Sequence, residues 1–157
     1  MTTTSAHRAP LALAGFAAAV AVVAMAGALA STNARGVYGS LNLPSWAPPP
    51  WLFGPVWTVL YGMIAVSGWL YWRAGGDRRG LTVYAAGLLL NLAWTPLFFA
   101  AGAYELALAD IVLLDLAVVA AIVLFHRRSP VAAWLQVPYL LWILYASALT
   151  GAIVALN

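Results

Sequence analysis

The chain has no cysteine. Disulfides, thiol nucleophiles and thiolate metal sites are therefore excluded. It has only two histidines, His7 near the N-terminus and His126 beside Arg127. Both are expected to be solvated, so a histidine metal site or haem ligation has no support, and no metal or required cofactor is expected. Lysine is absent too, since all seven basic residues are arginine. Charge of either sign is scarce: 7% of 157 residues, where a soluble domain carries about 25%. What fills the chain instead is apolar, at 65%. No soluble fold has the interior to hide that much apolar surface, so lipid must solvate most of it. The net charge of +3 sits in short arginine clusters at the ends of apolar runs. That placement is membrane-topology charge, and no nucleic-acid partner is expected.

Five apolar runs can be drawn, over residues 10–30, 51–73, 81–102, 104–126 and 131–155. Each is long enough to cross about 30 Å of hydrocarbon as a helix. The expected fold is an all-α membrane protein, a five-transmembrane-helix bundle, with residues 1–157 as one domain. The first run ends Ala28-Leu29-Ala30 before Ser31, as a signal peptide would. It is longer than the usual h-region of about 7–15 residues, so it is read as a retained helix. Its alanines and glycines let a neighbouring backbone come close. Pro96, inside the third run, should kink that helix and free a carbonyl near Leu92.

The arginines set an orientation. Arg8, Arg73, Arg78, Arg79, Arg127 and Arg128 fall on one side of a five-span chain, and only Arg35 on the other. The first side should be cytoplasmic, with the N-terminus, and the loop 31–50 should face out. A bacterial membrane is expected.

That loop, and the run after it, are unlike the rest. LNLPSWAPPPWLFGPVWTVLY, residues 41–61, carries five prolines and three tryptophans. A long loop with Tyr38, Leu41 and Trp46 reads as functional rather than disordered. Beneath it, Trp57 and Tyr61 share a helix face at i,i+4. Asn91, Trp94, Thr95 and Phe98 follow i,i+3,i+4,i+7, and Trp142, Tyr145 and Ala146 follow the same rule. All lie between the outer surface and the midplane at 1.5 Å per residue. Such faces can converge on an aromatic cavity with a few polar groups, the makeup of a site for a large flat ligand. The plain alternative for Trp57, Trp94 and Trp142 is helix packing. Trp51, Trp69, Trp72 and Trp134 read as interface anchors. Asn91 is either a helix–helix clamp or a ligand contact. Asp110 and Asp115 must each be protonated, paired or facing water. Five residues apart on one helix, they do not form a catalytic dyad.

Five blocks then resemble one family. They are Leu41-x-x-Pro44-Ser45-Trp46-x-Pro48-Pro49, Pro55-x-Trp57-Thr58-x-Leu60-Tyr61-Gly62, Asn91-x-x-Trp94-Thr95-Pro96-x-Phe98-Phe99, Ala109-Asp110 and Val137-Pro138-Tyr139-Leu140-x-Trp142. In order and spacing they resemble the TspO/MBR family, the tryptophan-rich sensory proteins and the mitochondrial translocator protein (peripheral benzodiazepine receptor). The resemblance implies a homodimeric five-helix bundle that binds porphyrins, haem-type and other tetrapyrroles, and benzodiazepine- or isoquinoline-like ligands. By position it implies a pocket of Tyr38, Pro44, Trp46, Trp57, Tyr61, Asn91, Trp94, Asp110, Trp142 and Ala146. Trp57 and Trp142 are its only catalytic candidates, for light-dependent porphyrin breakdown. Two departures concern that pocket. Val37 replaces an aromatic, and Leu43 replaces a basic residue that could meet a porphyrin carboxylate, leaving Arg35 as the candidate substitute. The cholesterol motif proposed in animal proteins is absent after Leu149. The leading expectation is a tetrapyrrole-binding membrane protein with a transport, sensory or protective role. The alternatives are a light-dependent porphyrin-degrading enzyme and a membrane scaffold or regulator.

Overall fold

The computed structural model describes residues 3–157, with side chains from Arg8 onward. The His7 side chain, expected in a solvated tail, lies outside the described residues. Six helices are present: α1 (Thr3–Ala30), α2 (Ala34–Ser40), α3 (Phe53–Arg73), α4 (Arg78–Thr95), α5 (Tyr104–His126) and α6 (Pro130–Leu156). All but α2 belong to segments long and apolar enough to cross a membrane: Arg8–Ala30, Pro50–Arg73, Arg78–Ala100, Tyr104–His126 and Pro130–Leu156. With that length and composition the chain is an all-α integral membrane protein.

The helix ends follow local chemistry. Asp77 caps α4, its carboxylate accepting the Gly80 N–H at 2.9 Å. Ser129 caps α6 by accepting the Ala132 N–H, and Pro130 occupies the first helical position. The Gly80 N–H, and after it the Tyr71 hydroxyl, hold the Asp77 carboxyl below the usual carboxylate range. The short α4–α5 link turns through Gly102 at φ +61°, a left-handed conformation that glycine adopts without strain.

Two expectations are corrected. The segment 31–50 is not a continuous loop, because residues 34–40 form α2 and the three prolines lead into a 3₁₀ turn at Pro50–Leu52. Alternating glycines and small residues hid a two-turn helix. Pro96 does more than kink a continuous helix. α4 ends at Thr95, and Pro96–Ala100 form a widened π turn in which the Ala101 N–H reaches the Pro96 carbonyl at 2.9 Å. A proline has no N–H to give the preceding turn, and the chain answers by widening.

The spanning helices form a closed ring in the order α1, α3, α6, α5, α4 and back to α1. α1 is thus wedged between α3 and α4, which barely touch each other although they are neighbours in sequence. Close approach at one point requires glycine: a Cβ on Gly68 would stand 2.7 Å from the Tyr84 ring and 2.9 Å from Phe16. The arginine-bearing end of the ring is filled solid. Tyr71 stacks on Phe125 with centroids 4.0 Å apart and planes within 5°, and Phe125 also meets Tyr84. Beside them Gln136 donates to the Ser67 hydroxyl at 3.1 Å, and Ser67 donates to the Ala132 carbonyl at 2.7 Å. The Tyr84 hydroxyl donates to the Ile64 carbonyl at 2.9 Å.

Candidate functional site

At the opposite end the ring encloses a cavity of about 360 Å³, bordered by α2 and by all five spanning helices. That volume lies within the range of small-molecule sites, about 300–1,000 Å³. Its wall is apolar and aromatic, with few polar groups.

α3 supplies the stacked pair. Trp57 and Tyr61, one turn apart, lie with centroids 5.1 Å apart and planes 30° apart. Tyr61 then donates to Asn91 Oδ1 at 3.1 Å, and Asn91 Nδ2 donates to the Tyr139 hydroxyl at 3.0 Å. The chain Tyr61–Asn91–Tyr139 ties α3, α4 and α6 together beneath the cavity. Asn91 is therefore a helix–helix clamp, and it also lines the cavity. From α4, Trp94 stacks on Phe98 at 5.0 Å, and the π turn presents Phe98 and Phe99 to the cavity. From α6, Trp142 meets Phe53 edge-on at 5.9 Å. The indole N–H groups of Trp94 and Trp142 are buried with no hydrogen-bond partner. A buried donor left unpaired costs about 1–3 kcal/mol.

The roof is made by α2 and the strap of residues 41–49. Buried Tyr38 lines the cavity and donates to the Pro48 carbonyl at 3.0 Å. Burial, with Tyr145 adding to it, pushes the Tyr38 hydroxyl up to about 12, so it stays a neutral donor at ordinary pH. Tyr145 donates to the Trp46 carbonyl at 2.8 Å, and their rings meet edge-on. At the strap's other end, the Asn42 N–H donates to Asn157 Oδ1 at 3.0 Å. Asn157 Nδ2 returns a bond to the Asn42 carbonyl at 3.1 Å.

Of the residues expected in a pocket, the cavity wall brings together Tyr38, Trp57, Tyr61, Asn91, Trp94, Trp142 and Ala146. Pro44, Trp46 and Asp110 do not line it. Trp46 is 48% exposed and packs outward on Tyr145. Tyr145, expected to share the cavity with Trp142, instead holds the strap. Asp110 is only 8% exposed, and its Oδ2 has no partner. Asp115 accepts a 2.7 Å bond from Ser147, which joins α5 to α6. Among the described residues, no three His, Asp or Glu side chains gather as a metal site would need.

Sequence reasoning missed the α1 contribution of Ala24, Gly27 and Ala28 and the role of Tyr139, while Arg35, its candidate basic residue, does border the cavity. Tyr139 could have been found, for it stands one turn before Trp142. The alanines carry no chemistry that would single them out.

Fold and site define a polytopic α-helical membrane protein with an aromatic-walled cavity at one end of a five-helix ring. The chain belongs to the TspO/MBR family, whose profile matches residues 15–156. It is 42% identical over 122 residues to the tryptophan-rich protein TspO of Archaeoglobus fulgidus, covering 76% of this chain and 79% of that one. It is 38% identical over 137 residues to the translocator protein of Sus scrofa, covering 82% and 81%. It is 35% identical over 149 residues to protein CrtK of Rhodobacter capsulatus, covering 90% and 92%.

Proposed function

We propose that the protein binds a tetrapyrrole of the porphyrin or haem type in this cavity, in a transport, sensory or protective role. The observation that carries the reading is the wall itself: stacked Trp57–Tyr61 with Trp94 and Trp142, two of whose indole N–H groups lack partners. Flat aromatic ligands stack on such rings. Benzodiazepine- or isoquinoline-like molecules share that flat chemistry and would compete. By the arginine asymmetry the arginine-rich end lies in the cytoplasm and the roof outside, and family membership favours a homodimer.

The test is a protoporphyrin titration of purified protein in the dark, read by tryptophan quenching. Saturable micromolar quenching supports the reading. Its absence sinks it and favours the scaffold alternative. Illuminating the complex separates the other alternative, which the two cavity indoles Trp57 and Trp142 favour. Porphyrin loss with product formation only in light would make the protein a degrading enzyme; a stable complex would leave it a binder.

A further inference from the structure

The cavity has two sides on which a ligand could arrive, and they are built differently. On the water side the roof is tied at three places: Tyr38 to Pro48, Tyr145 to Trp46, and Asn42 with Asn157 in both directions. Where α1 meets α3 the fastening lies at the arginine-rich end, where the Trp69 indole N–H donates to the Ala9 carbonyl at 2.9 Å. One stripe of α3 carries Gly54, Thr58 and Ala65, at offsets of four and seven residues, close to whole turns. Ala65 is buried at 7% exposure, and Gly68, one turn further on, sits against Phe16 of α1. Gly54 and Thr58 are exposed, yet both line the cavity. So α1 covers this stripe at the arginine-rich end and leaves it bare at the cavity end. On α1, Ala24 and Ala28 line the same cavity, and Ala28 is likewise exposed. These four residues are small, and the first large side chain between the two helices is Tyr61, whose hydroxyl lies 4.0 Å from where a Cβ on Gly27 would stand. Thr58 already spends its hydroxyl on the Gly54 carbonyl at 2.8 Å, which leaves the rim without a free polar group.

Depth places this gap. Counting from Pro50 at about 1.5 Å per residue, Gly54 and Thr58 lie about 6 and 12 Å below the helix end, inside one leaflet. Arg35 stands beyond the end of α1 on α2, exposed, and it too borders the cavity. A cation at headgroup level therefore overlooks an apolar window at acyl-chain level.

We propose that the cavity opens sideways into the lipid leaflet through the α1–α3 window at Ala28, Gly54 and Thr58. A flat, apolar ligand bearing a carboxylate passes in from lipid, and its acid stays behind at Arg35. The ligand's chemistry rests on the porphyrin reading above; the window does not. Such molecules partition into bilayers with their acids at the surface, so the route asks no charged group to cross hydrocarbon. The latched roof stays shut throughout.

Two measurements decide it. The first follows protoporphyrin transfer from loaded vesicles into proteoliposomes by stopped-flow quenching. A Cβ at Gly54 would meet nothing within 4 Å, and the same holds at Gly62, which is exposed and off the cavity wall. Both positions therefore tolerate an added Cβ. Gly54→Phe should slow both association and dissociation by about tenfold, while Gly62→Phe matches wild type. Loosening the roof with Asn157→Ala and Tyr145→Phe should leave the rates unchanged. Arg35→Gln should weaken the diacid about three- to tenfold and its dimethyl ester hardly at all. Faster exchange in the roof variants, with Gly54→Phe at wild-type rates, overturns the route. Equal weakening of diacid and ester overturns the role of Arg35.

The second measurement needs no ligand and uses the cysteine-free chain as it stands. A nitroxide on Thr58→Cys in bilayers should be relaxed by oxygen and shielded from a nickel chelate, as a label on lipid-facing Val59→Cys would be. Strong relaxation by the chelate would mean the gap opens to water and would overturn the window. If wild type takes up no protoporphyrin, the binding reading and the role of Arg35 fall, and the nitroxide result still decides the window.

Discussion

Tyr71 and Phe125 stack face to face at 4.0 Å at the arginine-rich end, while Trp57, Trp94 and Trp142 stand around about 360 Å³ of open space at the other. Both ends are aromatic, and the same five helices run through both. The difference lies in how polar atoms are spent. At the filled end, Ser67, Gln136, Tyr84 and Asp77 are all hydrogen-bonded. At the hollow end, Trp94, Trp142 and Asp110 keep buried polar atoms without partners. Lipid is as apolar as a leucine side chain, so helix association in a membrane rests on close packing and hydrogen bonds rather than on expelling water. One end that satisfies both conditions can hold the ring while the other remains hollow and keeps a few buried polar atoms unpaired.

Breaking the filled end should cost most. Phe125→Ala removes a fully buried ring from two stacks and should lower stability by about 3 kcal/mol or more, read by thermal unfolding in detergent. A loss below about 1 kcal/mol would show that the stack does not hold the ring. Ser67→Ala deletes two bonds, the one to the Ala132 carbonyl and the one from the Gln136 amide, which is left unpaired. About 1–2 kcal/mol should go, on the same assay. At the hollow end the response should differ in kind. Trp142→Phe discards a donor that has no partner, so stability should stay within about 1 kcal/mol of wild type. A large drop there would turn the cavity tryptophan into a packing residue and erase the contrast between the ends. The smallest effect is expected at Asp77. Its folded carboxyl lies below its ordinary value of 3.8. Its contribution is thus complete above the unfolded value and disappears as pH falls through the folded one. Wild type should lose melting temperature on acidification past about pH 4, and Asp77→Asn should start lower and lack that step. Parallel acid profiles would contradict the capping role.

The contrast was only half legible in the sequence. Hydropathy and arginine placement were enough for the five spans and the all-α ring, because bilayer thickness fixes helix length. Spacing of four and three residues was enough to put Trp57 with Tyr61 and Asn91 with Trp94 on common faces. Spacing within one helix says nothing of how helices rotate against each other. That is why Tyr145, one turn from the cavity residue Trp142, went to the strap, and why Asp110 missed the wall. The filled end was not foreseen at all. Tyr71, Tyr84 and Phe125 lie far apart in the chain and carry no spacing signal, and Ser67 and Gln136 are unremarkable until 69 residues of separation close to one bond. α2 escaped because seven residues with two glycines give no apolar period.

The most direct test of the division between a holding end and a binding end compares two double variants in one dark protoporphyrin titration. Trp57→Phe with Trp142→Phe alters the cavity wall; Trp72→Phe with Trp134→Phe alters two exposed tryptophans away from it. Binding is read by porphyrin absorbance, so that quenching by fewer tryptophans does not enter. The account predicts about a tenfold or greater loss of affinity in the first pair, unchanged affinity in the second, and near wild-type melting in both. Equal affinity in all three proteins would contradict it and place any porphyrin on the outer surface of the ring.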